Sequence, residues 1–159
     1  HHPEADLPLH SGGGVRVRLI AGNFLGLGSP VETQSELMYA DVALEAGAQL
    51  AVAPDYEERG AYVVEGEVEI DGQRYAAGRL LVFRPAAQVR VRAACRARLM
   101  LLGGEPLGAR HVWWNFVSSS RERIEQAKDD WRAGRFAGVP GDDEFIPLPE
   151  QRKPRVDYP

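Results

Sequence analysis

One cysteine, two methionines and four histidines in 159 residues leave little for metal or redox chemistry. The lone Cys95 excludes an intrachain disulfide and a Cys-based zinc site, and it is compatible with a reducing cytoplasm, where the chain is expected to reside. It stands in "RAACRARLML", where a small buried hydrophobe is expected. No apolar run approaches the ~20 residues that cross a bilayer, and no signal peptide is recognisable, so no membrane role is expected. Charge of one sign is missing too: 19 basic and 23 acidic residues are interspersed for a net −4. Without a clustered basic face, direct nucleic-acid binding is not expected.

What is present is globular: 44% hydrophobic and 26% charged residues, enough for one domain with a core and a tail. Short β-rich runs recur at 15–22, 37–44, 49–53, 61–70, 79–83, 89–93, 97–104 and 111–117, with turn signals between them. This spacing predicts an all-β barrel or sandwich. After Val64 the alternation is clean, with Val68 and Ile70 on one face and Glu65, Glu67 and Glu69 on the other, a solvated face rather than a cation site. Asp71-Gly72 is a hairpin turn dipeptide, because glycine supplies the positive φ that a tight turn needs.

Helical patterning comes late. In "SSSRERIEQAKDDWRAG", Ser119 and Glu122 have capping-box spacing, Ile124, Ala127 and Trp131 share a stripe, and Gly134 is the stop. A helix is expected near 119–133. The domain plan is therefore a linker or tag remnant over 1–14, a barrel plus helix over 15–134, and an extended tail over 135–159 whose apolar residues need something to cover. "SGGG" at 11–14 leads into a strand and lacks the helix N-terminus of a phosphate loop.

The stretch "AVAPDYEERGAYVVEGEVEIDG" at 51–72 has the outline of a cupin metal-binding hairpin. Cupin barrels carry Gly, five residues, His-x-His, three or four residues, Glu, six residues, Gly. Gly47 and Gly66 keep that frame, but the histidine positions fall on Ala53 and Asp55 and the glutamate position on Arg59. The second cupin signature aligns with Pro85-Ala86-Ala87 and puts Arg90 where histidine would stand. A first-row metal held for oxygen chemistry needs imidazoles and a carboxylate, which this set cannot supply. Parity leaves the register open: Val89, Val91 and Ala93 share one face and Arg90 and Arg92 the other, so either the valines or the arginines point inward.

Longer stretches carry a more specific resemblance. "GSPVETQSELMYADVAL" (28–44), "ERGAYVVEGEVEIDG" (58–72), "LLGGEPLGARHVWWNFVSSSRERIEQAKDDW" (101–131) and "VPGDDEFIPLPE" (139–150) resemble the C-terminal half of bacterial pirins. The resemblance implies a bicupin of two similar barrels, one Fe held in the N-terminal barrel through a motif beginning His-Pro-His, and either quercetin 2,3-dioxygenase activity or a transcriptional cofactor role. No His-Pro-His occurs here. The expectation is thus a metal-free C-terminal cupin half, with no cofactor of its own and no catalytic residue, supporting an Fe-dependent activity sited in an N-terminal half. The alternative is a non-catalytic protein-protein interaction module. The expected partner is the N-terminal cupin domain, with homodimerisation possible for the isolated chain.

Other candidates carry blander readings. Tyr56, Glu57, Glu58, Arg59, Arg84 and Arg90 either line a polar cleft at the barrel mouth, with His111, or form structural ion pairs. His111, in "ARHVWWNF", is a hydrogen-bonded core histidine or a general base without a nucleophile at a suggestive spacing. Ser118, Ser119 and Ser120 suit helix capping. Trp113, Trp114 and Phe116 are packing mass or interface.

Overall fold

The computed structural model describes residues 2–149 and divides into two compact units, His1–Pro106 and Leu107–Pro159. Eleven strands build the first unit: β1 (Leu9–Gly12), β2 (Val15–Phe24), β3 (Leu27–Gly28), β4 (Leu37–Leu44), β5 (Gln49–Val52), β6 (Glu58–Glu65), β7 (Glu67–Ile70), β8 (Gln73–Ala76), β9 (Leu80–Phe83), β10 (Val89–Ala93) and β11 (Ala97–Gly104). They form two antiparallel sheets, one ordered β1-β2-β4-β11-β6-β9 with β3 added to β2, the other β5-β10-β7-β8. Period-2 alternation explains the layers, since every second residue is buried throughout β4, from Val15 to Ala21 in β2 and from Ala97 to Leu101 in β11. Val17, Leu19, Val42, Leu44, Leu99 and Leu101 from the larger sheet share one core with Leu50, Val52, Val68 and Val91 from the smaller. The predicted all-β, two-sheet jelly roll is what the sequence builds.

Several boundaries differ from the sequence reading, each for a local reason. Residues 9–12, expected as linker, form β1 and pair with β2 through the Gly13-Gly14 turn, whose φ values of 58° and 76° suit a tight hairpin. The 61–70 run is not one strand. Gly66, at φ 75°, sends the chain from β6 in the larger sheet to β7 in the smaller, and a Cβ there would lie 2.1 Å from the Arg96 carbonyl oxygen. Glu65 therefore belongs to a different sheet from Glu67 and Glu69, which reach Arg74 and Arg92. The Asp71-Gly72 hairpin is as predicted, with φ positive at both central residues. Cys95 is exposed in the turn between β10 and β11 rather than buried, because that turn interrupts the alternation that β10 carries.

The second unit holds a hairpin, β12 (His111–Trp113) and β13 (Phe116–Ser118), followed by α1 (Arg121–Arg132). The 111–117 run is folded back at Trp114, whose φ of 52° is a turn conformation that a bulky residue seldom adopts. Ser120, not Ser119, caps α1, a one-residue shift from the sequence expectation. Its hydroxyl accepts the Arg123 N–H at 3.3 Å and donates to the Glu122 carboxylate at 2.5 Å. That bond, and the Glu122 backbone N–H, hold the Glu122 carboxyl below the usual carboxylate range; Gln126 and then Arg135 do the same for Asp130.

Both groups are depressed in the folded state, so their stabilisation is complete above the unfolded carboxylate values and is lost as pH falls through the folded ones. Acidification below roughly pH 4 is therefore expected to loosen the helix. Glu122→Gln and Asp130→Asn should flatten that loss, read by tryptophan emission. All three tryptophans, Trp113, Trp114 and Trp131, lie in this unit, so their emission is a probe placed within it.

Candidate functional site

Arg59, expected at the glutamate position of the cupin frame, is turned inward by the alternation of β6, where it is 3% exposed. Its guanidinium meets no carboxylate among the described residues. Instead Nη1 donates to Ala53 O at 3.0 Å and, more weakly, to Val52 O at 3.5 Å. Nη2 donates to Arg84 O at 3.1 Å and Ala87 O at 2.8 Å. One side chain thus ties the end of β5 to the loop between β9 and β10. Nε has no partner, the cost of fitting a five-donor group to a four-carbonyl cradle.

That loop is a tight turn clamped at both ends. Ala87 N–H donates to Arg84 O at 3.3 Å, Pro85 takes the first corner, and Ala86 takes the second at φ 59°. Proline followed by a positive φ is the type II pattern, which favours glycine at the second corner. The two carbonyls that Nη2 bridges are those of the turn's first and last residues. Ala86→Gly removes the Cβ strain and is expected to raise stability by about 1 kcal/mol, a midpoint gain of roughly 2–4 °C. Far-UV circular dichroism checks it; an unchanged midpoint would mean the turn stores no strain.

The remaining ligand positions do not converge. Ala53 is half-buried and offers only its carbonyl, while Asp55 is exposed in the loop beyond it. Arg90 points away from the core: in β10 it is Val89, Val91 and Ala93 that are buried and Arg90 that is exposed. The valines won the inward face because burying an unpaired guanidinium costs far more than exposing it. Among the described residues no group of three or more His, Cys, Asp or Glu is placed to hold a metal ion. A donor-only cation in the glutamate position also repels one. These residues do not fit a resident metal.

The proposed polar cleft is only partly assembled. Glu57, Glu58 and Arg59 line an open cleft of about 560 Å³, but its other walls are apolar, with Leu80, Val82 and Leu102 among them. Tyr56 is buried instead, its hydroxyl donating to Asn23 O at 3.1 Å, and Arg84 is exposed and contributes its carbonyl rather than its charge. His111 lies in the second unit, half-buried in β12 opposite Ser118. The ion pairs offered as the bland alternative are not what Arg59 makes. Its carbonyl cradle was invisible in the sequence, because backbone acceptors carry no residue code; the signal that could have pointed to it is an arginine on an otherwise inward-facing strand position.

Two facing antiparallel sheets around one core, with Gly47 and Gly66 at the spacing of the first signature, are the architecture of a cupin. The chain belongs to the pirin C-terminal cupin domain family, which matches residues 39–137. A pirin-like protein of Caulobacter vibrioides is 48% identical over 94% of this chain and 52% of its own length. A protein of Pseudomonas aeruginosa provisionally named a quercetin 2,3-dioxygenase is 35% identical over 84% of this chain and 43% of its own. The chain spans about half the length of these relatives. The crystal structure of quercetin 2,3-dioxygenase from Acinetobacter baumannii superposes with a TM-score of 0.80 over 93% of this chain and 52% of that one; at 22% identity this likeness concerns the fold alone.

Proposed function

We propose that this domain is the metal-free half of a pirin-like bicupin, supporting a quercetin 2,3-dioxygenase-type activity whose Fe site lies in the N-terminal half. The observation that carries the reading is Arg59. In this reading it stands where a cupin would place its carboxylate ligand, a reading supported by its burial and by the hydrogen bonds with which it closes the loops around it. The names carried by relatives of about twice this length support the dioxygenase class for the whole protein. In this reading the chain's own role is to hold the other barrel in place, and its residues neither bind oxygen nor move a proton.

A second reading, a protein-protein interaction module without catalysis, is favoured by the strip of exposed Tyr62, Leu80, Val82 and Leu102 on β6, β9 and β11. The register sets Val82, Gly60 and Leu102 side by side, so the strip is continuous across three strands. Assaying quercetin consumption by the two-barrel protein, Fe-loaded, beside this chain alone separates the readings. Turnover by the two-barrel protein and none by the chain is expected. Turnover by the isolated chain would contradict the reading, and an inactive Fe-loaded two-barrel protein would favour the module.

A further inference from the structure

The second unit carries a pocket that the dioxygenase reading does not use. It measures about 360 Å³ and is lined by Trp131, Phe136 and Phe145 together with Asp142, Asp143 and Glu144. The Trp131 indole sits at the centre, with Phe136 at 5.5 Å and Phe145 at 6.2 Å between ring centroids, both tilted rather than stacked. Trp131 Nε1 donates to Ile146 O at 2.8 Å, which fixes the indole and holds the 142–146 segment beside the end of α1. Phe136 and Phe145 are nonetheless 47% and 57% exposed. Aromatic rings present a negative face, so such a group of rings attracts cations.

The acidic residues point the same way. Glu144 N–H donates to Asp142 Oδ1 at 2.9 Å, ordering the loop that carries them. Among the described residues none of the three carboxylates pairs with a lysine or arginine, and of the arginines that precede them Arg132 pairs with Asp129 and Arg135 with Asp130. Among the described residues the pocket therefore combines aromatic faces with carboxylates that no cation pairs. The carboxylates do not converge as a metal ion requires. An anion would be repelled, and a neutral apolar ligand would desolvate them without return.

We propose that this pocket binds an organic cation, a quaternary or methylated ammonium group seated among Trp131, Phe136 and Phe145 with its charge facing the acidic loop. Choline and its uncharged carbon isostere, dimethylbutanol, are titrated against the full chain while tryptophan emission is followed. Choline is expected to bind saturably and about tenfold more tightly than the isostere. Phe145→Ala and Asp143→Asn should each weaken choline several-fold without shifting the thermal midpoint. Asp143→Asn keeps the side-chain size, so it remains informative if the aromatic variant fails to fold. Equal binding of choline and the isostere would show a plain apolar surface and overturn the proposal. So would the absence of saturable choline binding, or unchanged affinity in both variants.

Discussion

Replacing Arg59 with methionine is expected to lower the stability of the β unit by about 3 kcal/mol, a fall in midpoint of roughly 6–12 °C. Two effects oppose each other. Methionine keeps the apolar stem and relieves the desolvation of a buried guanidinium whose Nε is unpartnered. Against that, the three bonds between 2.8 and 3.1 Å are lost, and hydrogen bonds to a charged group are worth roughly 1.5–3 kcal/mol each. The lost bonds outweigh the relief, although Arg84 is exposed and its carbonyl can turn to water. Arg59→Lys should recover only part of the loss, since one ammonium cannot bridge β5 and the β9–β10 loop as a planar fork does. Far-UV circular dichroism follows the sheets.

Gly66→Ala is expected to be at least as damaging, about 3 kcal/mol or more. The cost has two parts that can be measured separately. Gly47 and Gly66 both have left-handed φ, 82° and 75°, but a Cβ on Gly47 meets nothing within 4 Å whereas one on Gly66 lies 2.1 Å from the Arg96 oxygen. Gly47→Ala should therefore cost only the conformational part, about 1 kcal/mol. The excess at Gly66 is steric, and because the obstacle is backbone it cannot swing aside. Urea denaturation of the two variants gives both numbers. Equal losses would mean that β6 and β11 separate easily at the crossing.

The contrast between the two glycines separates what backbone geometry demands, a glycine at 66, from what it only prefers, a glycine at 47. It also shows which features the sequence could disclose. Strands such as β4 were legible because one buried face imposes strict alternation, and the Asp71-Gly72 turn because its positive φ values favour those residues. The pairing of β1 was hidden, since all its residues are exposed and alternation leaves no mark. The break at Gly66 was hidden because the buried parity shifts there, from Ala61 and Val63 in β6 to Val68 in β7, and the adjacent Val63 and Val64 let one phase be read across it. At the candidate site the sequence disclosed the missing ligands but not what replaced them. Arg59 satisfies itself on carbonyls from residues 6 to 28 positions away, a long-range arrangement that no local spacing records. Arg90 and Arg59 look alike in the sequence; strand parity alone sends one outward and the other in.

Titrating the chain with Fe(II) under anaerobic conditions, while following the thermal midpoint of the sheets by circular dichroism, tests most directly whether Arg59 has taken the metal's place. The midpoint is expected to stay constant with Fe(II) and with a chelator, and to fall only when Arg59 is replaced. A midpoint that rises with one equivalent of Fe(II), returns on chelation and is insensitive to Arg59→Met would contradict it.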